Sequence, residues 1–197
     1  MKQTKNAPIL LLITFILTSL ACTIFVGGPD TSTLPAIPVS AEAADSIKAE
    51  LQRAFEAGAQ TGVVAFNLNE TQLTSLLARR LQTDSTLQQS DRTPLITSPQ
   101  VYLRDGQMKI YGKSKRGMFT ANIGIIVNVG VDINGQPQID IVSADFGPLP
   151  APAGIREAIT SIIKEAYTGS LGPVATGLRI ESIAISNGVM TVVGRIR

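Results

Sequence analysis

Few side chains in this 197-residue chain could carry chemistry. Histidine is absent and Cys22 is the sole cysteine, which excludes imidazole acid–base catalysis, thiolate zinc sites and intramolecular disulfides together. Ser161-Ile-Ile-Lys164 fits the S-x-x-K pattern of penicillin-recognising serine enzymes, but the partner sequences S-D-N and K-T-G do not occur. On a helical wheel Ser161 and Lys164 turn away from the Ile155/Ile159/Ile162 stripe into water, where an ammonium group is a poor base at neutral pH. Asp132, Asp140 and Asp145 alternate with apolar residues near an Asn134-Gly135 turn, a pattern of solvated strand faces more than of paired catalytic acids or a metal site. Asn69-Glu70-Thr71 fits a glycosylation sequon, yet Asn69 followed by Gln72 also reads as a helix-capping pair. The expectation is a chain that is no enzyme, with no cofactor and no metal.

One local basic concentration remains: Arg104, Lys109, Lys113, Lys115 and Arg116. It reads either as a solvated sheet edge guarded against pairing or as a contact for anionic lipid headgroups, at about 1 kcal/mol per cation near such a surface. A nucleic-acid footprint does not fit. Lys2, Lys5, Asp30 and Glu42 are the only charges before Asp45, so of 17 basic and 15 acidic residues the remainder keeps 15 and 13, far from a basic face.

The elements that must position these residues begin with residues 7–27, an uncharged apolar run of 21 residues. As a helix it would span about 31 Å, the thickness of a bilayer's hydrocarbon core. Lys2 and Lys5 before it place residues 1–6 in the cytoplasm and the domain beyond it outside the cell membrane. The run is long for a cleaved signal, and Ser19-Leu20-Ala21-Cys22 is a poor acylation box, although a lipoprotein acylated at Cys22 stays an alternative. Residues 28–44 hold three prolines and small residues and read as an extended linker.

Residues 45–197 read as one extracytoplasmic domain. Ile47, Leu51, Ala54 and Phe55 give a helix over 45–57 with Gly58 as its C-terminal cap. Residues 63–68 form a short strand, and a helix capped by Asn69 follows, striped by Leu73, Leu76, Leu77 and Leu81, with Arg79 and Arg80 facing water. A polar loop over 83–99 precedes a hairpin turned by Asp105-Gly106. From Met118 to Ile133 every odd position is apolar, a strand of unusual length, with Gly124 and Gly130 permitting it to bend. Asn134-Gly135 returns the chain as residues 138–146, a helix spans 153–167, and Asn187-Gly188 turns the last hairpin. The fold class is therefore α+β: a long curved antiparallel sheet packed on helices, behind one transmembrane helix.

The phrases Val64-Ala-Phe-Asn-Leu-Asn-Glu-Thr-Gln-Leu-Thr-Ser-Leu-Leu77, Pro99-Gln-Val-Tyr-Leu-Arg-Asp-Gly106, Asp132-Ile-Asn-Gly135 and Phe146-Gly-Pro-Leu-Pro150, in this order behind an N-terminal anchor, resemble the YpmS-like bacterial membrane proteins. That family in turn resembles the tubular lipid-binding superfamily of the bactericidal/permeability-increasing type. The resemblance implies a helix cradled in a bent sheet, an apolar groove for acyl chains and no catalytic residues. The expected groove is lined by Phe119, Ile123, Ile125, Val127 and Val129, with Ile159, Ile162 and Ile163 opposite. The same residues would equally form a closed core. Expected partners are the membrane and a lipid or other amphiphile. The competing expectation is an envelope scaffold that binds another protein or a second copy without a small-molecule ligand.

Overall fold

A computed structural model describes residues 23–83, 96–149, 160 and 178–196. Among them it contains two helices and two mainly antiparallel sheets that curl into a half-barrel around a shared core. Strand β1 (Ile24–Phe25) leads through an irregular stretch into helix α1 (Ala41–Thr61); strand β2 (Val63–Asn69) runs directly into helix α2 (Glu70–Thr83). Strands β3 (Thr97–Arg104), β4 (Gln107–Arg116), β5 (Phe119–Val131) and β6 (Pro137–Asp145) form a meander, and β7 (Leu178–Ser186) and β8 (Val189–Ile196) a final hairpin. The larger sheet has the order β1-β5-β4-β3, with β6 on the other half of the β5 edge, and the smaller is β2-β8-β7. One continuous sheet was expected; the structure divides it, because β8 pairs with β2, residue for residue from Val63↔Arg195 to Asn69↔Val189.

The capping signals act where the residues place them. Asn69 N–H donates to Gln72 Oε1 and Gln72 N–H to Asn69 Oδ1, both at 2.9 Å, a closed capping box worth about 1 kcal/mol. Helix α1 is longer than its periodicity predicts. Ser40, extended at φ −143°, accepts from Ala43 N–H at 3.0 Å and starts the helix one turn early. Gly58 is an interior residue, not the cap: a Cβ there would lie 2.5 Å from Val64 Cγ2, so its absence lets α1 close on β2. The cap is Gly62, left-handed at φ 73°, whose N–H donates to Gly58 O. The hairpin turns at Asp105-Gly106 and Asn187-Gly188 carry positive φ at both central residues, as the twist of paired strands requires.

The core lies between the concave sheet face and the two helices. Ile47 and Leu51 of α1 and Leu73, Leu76, Leu77 and Leu81 of α2 meet Val64, Phe66 and Leu68 of β2, Val101 and Leu103 of β3, Ile110 of β4 and Ile123, Ile125 and Val127 of β5. Helix α2 also closes the free edge of β3. Val101 N–H donates to Thr74 Oγ1 at 2.9 Å and Leu103 N–H to Glu70 Oε1 at 2.8 Å, so two side chains four residues apart replace the missing strand partner. Arg79 faces water in an ion pair with Asp45 at 2.6 Å, whereas Arg80 is half-buried instead of solvated.

The two ends of the pH scale act on different contacts. Hydrogen bonds from Gln136 and Asn134 N–H hold the Asp132 carboxyl below its usual range, and Lys109 does the same for Asp105. Burial, followed by the Glu70 carboxylate, raises the Tyr102 phenol. A lowered carboxyl stabilises the fold above its unfolded pKa and loses that contribution as pH falls through the folded one; a raised phenol stabilises below its unfolded pKa and loses that as pH rises through the folded one. Stability is therefore expected to be flat through neutral pH, to fall below about pH 4 and again above about pH 10. Denaturant midpoints across pH 3–11 check this; a slope between pH 6 and 9 contradicts it.

Candidate functional site

The stretch that follows the apolar N-terminal run is built into the domain. Ile24 N–H donates to Met118 O at 2.7 Å and Val26 N–H to Thr120 O at 2.9 Å, while Gly27 O accepts from Asn122 N–H at 2.8 Å. Beyond the strand, Asn122 Nδ2 donates to Pro29 O at 3.0 Å and Tyr102 Oη to Pro35 O at 2.9 Å. Gln100 grips Ile37 from both sides, accepting its N–H at 2.6 Å and donating to its carbonyl at 3.2 Å, and Ser40 N–H donates to Ser75 Oγ at 3.1 Å. Residues 23–40 are thus a strap across the convex face of the larger sheet, not a free spacer. The last residues of the apolar run, 24–27, belong to this sheet and not to a helix. Among the described residues no helix is long and apolar enough to cross a membrane; residues 7–22, Cys22 included, lie outside them.

The strap's entry point is where the candidate residues regroup. Strand β1 pairs in parallel with the start of β5, Ile24 beside Phe119 and Phe25 beside Thr120. Strand β4 continues both rows with Arg116 opposite Phe119 and Lys115 opposite Thr120. Ile24, Phe119 and Arg116 therefore share one face of the sheet tip, and Phe25, Thr120 and Lys115 the other. Ile24, Phe25, Met118 and Phe119 are 42–59% exposed. Four large apolar side chains at one corner, rimmed by cations, exceed the scattered single exposures normal for a protein surface.

Ile123, Ile125 and Val127 are at most 1% exposed and packed in the core. Val129 is half-buried at its margin, Phe119 sits apart at the tip, and Ile159, Ile162 and Ile163 lie outside the described residues, as does Ser161-x-x-Lys164. Of the five basic residues, Arg104 is paired with Glu70 and Lys109 with Asp105. Lys113, Lys115 and Arg116, all exposed, run toward the tip. The three aspartates serve local geometry: Asp132 closes its turn, Asp140 accepts from Gln138 at 3.1 Å and Asp145 from Gly147 N–H at 2.7 Å. Asn69 is held in the capping box. No cluster of three metal-ligating side chains occurs among the described residues.

Two features leave no mark in the sequence. One is the apolar corner, because Ile24 and Phe25 end an unbroken apolar run and Met118 and Phe119 open a strand, with no signal that the two meet. The other is a cleft of about 230 Å³ between strap and sheet, walled by Tyr102 and Tyr111, whose rings meet edge to face at 5.8 Å.

No family model matches the chain, and no curated protein does. The resemblance to YpmS-like proteins therefore rests on the order of elements and the phrases that carry it. Among solved structures, the crystal structure of a lipopolysaccharide binding protein aligns with a TM-score of 0.27 at 12% identity, over 69% of this chain and 50% of that one. The chain spans half the length of that protein, and a likeness this slight carries no argument about fold or ligand.

Proposed function

We propose that this is a non-catalytic module tethered to the outer face of a bacterial cell membrane, where its exposed sheet tip binds lipid or another amphiphile at the bilayer interface. The observation that supports this reading is the corner of Ile24, Phe25, Met118 and Phe119, to which the apolar N-terminal segment is directly joined. This reading puts lipid contact at the tip of β5, because Ile123, Ile125 and Val127 of the same strand are packed in the core. Each half-exposed aromatic contributes about 1 kcal/mol on burial, and Lys115 and Arg116 about 1 kcal/mol each near anionic lipid. The strap consumes the linker that would otherwise let the domain drift from the bilayer.

The full chain in nanodiscs of phosphatidylcholine and phosphatidylglycerol tests this. Spin-labelled lipid is expected to reduce the amide signals of Phe25, Gly117 and Phe119 at least twofold. The Ile133–Gly135 turn at the other end of β5, about 40 Å away at 3.3 Å per residue, is expected to keep its signal. A Phe25→Ser/Phe119→Ser double variant is expected to lose the effect without melting earlier. Equal relaxation at both ends, or relaxation at Ile133 alone, refutes the reading.

A further inference from the structure

The cleft beneath the strap lies on the convex face, away from the core and above the tip. Its lining includes Thr31 from the strap, Ser98 and Tyr102 from β3, Tyr111 and Lys113 from β4 and Asn122 from β5. Lys113 is the only charged side chain among the lining residues, and none is acidic.

The donors divide into two sets. Those that hold the strap are spent: the amides of Gln100 and Asn122 and the hydroxyl of Tyr102 bond strap backbone. The ammonium of Lys113 and the hydroxyls of Thr31, Ser98 and Tyr111 make no side-chain hydrogen bond or ion pair among the described residues, whereas Arg104 and Lys109 on the same hairpin are matched to acids. A second, independent sign is the backbone at the cleft wall. Strand β3 is irregular between Thr97 and Gln100, and Ser98 within that irregularity has φ 49°, a left-handed conformation that β-strand residues avoid. Bulges of this kind re-aim side chains beside functional sites.

We infer that this cleft is an anion site for a phosphate group, bound by Lys113 and the free hydroxyls of Thr31, Ser98 and Tyr111, and that the phosphate is that of an anionic lipid headgroup. A cationic donor and neutral hydroxyls without a competing carboxylate match a phosphate's oxygens. The lipid source follows from position and rests on the tip reading above. Lys113 precedes the Gly117-Met118 turn by four residues, about 13 Å along the strand. With the tip seated roughly 5–10 Å into the interface, the cleft stands at the outer margin of the headgroup layer.

The test uses the full chain in nanodiscs of phosphatidylcholine alone or with one quarter phosphatidylglycerol, and separately titrates inorganic phosphate. The anionic lipid is expected to shift the amide resonances of Ser98 and Gly112 several-fold more than phosphatidylcholine alone, whose phosphodiester is offset by its own choline cation. Lys113→Gln is expected to weaken the response about tenfold, as loss of one charge-assisted hydrogen bond does. Tyr111→Phe, which keeps the ring and removes the hydroxyl, is expected to weaken it less. Shifts with inorganic phosphate but not with the anionic lipid overturn the lipid source. Shifts with neither overturn the site, and tip relaxation in the same samples shows separately whether the membrane contact stands.

Discussion

Replacing Ile123 by alanine is expected to lower the melting temperature by roughly 5–15 °C while leaving the membrane contact at the sheet tip unchanged. Ile123 has no exposed surface and is packed in the central cluster with α1 and α2. Truncating a buried isoleucine to alanine costs about 2–5 kcal/mol, because the lost transfer energy is joined by a cavity that neighbours fill incompletely. In a chain of this size each kcal/mol moves the midpoint by about 2–4 °C. The contrast is with Phe119, four residues earlier on the same strand face and 42% exposed. Phe119→Ser removes little packing and is expected to leave the midpoint within about 2 °C while lowering the tip's relaxation by spin-labelled lipid. Scanning calorimetry on the two variants separates a filled core from a ligand groove. If Ile123 lined a groove, its truncation would change lipid occupancy and cost little stability; a midpoint unchanged by Ile123→Ala refutes the core assignment.

The elements legible from residues alone are those whose determinants are local. Asp105-Gly106 and Asn187-Gly188 each specify a turn within two residues, and Asn69 with Gln72 closes a capping box within four. The alternation from Phe119 to Val131 makes β5 visible because one face is buried along most of its length. What was hidden depends on partners far apart in the chain. Nothing in Val63–Asn69 announces β8, more than 120 residues later, as its neighbour, so the division into two sheets could not be read. The start of α1 was obscured because Ala41 to Ala44 carry no large apolar residue and the stripe begins only at Ile47, although Ser40 is a good cap.

The site shows the same divide with a functional consequence. Hydropathy marks Ile123, Ile125 and Phe119 as one face, and burial then assigns the first two to the core and the third to the surface. Charge marks five basic residues as one group, and the fold then pairs Arg104 with Glu70 and Lys109 with Asp105. Residues 28–40 read as a linker because prolines and small residues form no periodic pattern. Their docking depends on Gln100, Asn122 and Tyr102, three polar side chains unremarkable in their own strands. A strap held by backbone hydrogen bonds leaves almost no mark in the composition of the strap itself.

Gly28→Val is expected to release that strap, and hydrogen exchange at the Asn122 amide is expected to quicken at least about a hundredfold. Gly28 has φ +109°, a conformation that side chains rarely adopt, and a Cβ there would run into the Asn122 carbonyl. Left-handed strain costs about 1–3 kcal/mol by itself, and the clash forces the backbone away from β5. The bonds from Asn122 N–H to Gly27 O and from Asn122 Nδ2 to Pro29 O then break, at about 1 kcal/mol each. About 3 kcal/mol of local opening corresponds to the hundredfold change. Helices α1 and α2 are expected to keep their protection, since the core cluster includes no residue from 23–40. The functional effect follows from length. Undocked, residues 23–40 could extend about 60 Å, so the tip would no longer be held at the bilayer and its relaxation by spin-labelled lipid would fall toward that of the Ile133–Gly135 turn. If the Asn122 amide stays protected in Gly28→Val, the strap does not depend on this contact. If the strap opens while the tip still meets lipid as before, its docking is not what positions the domain.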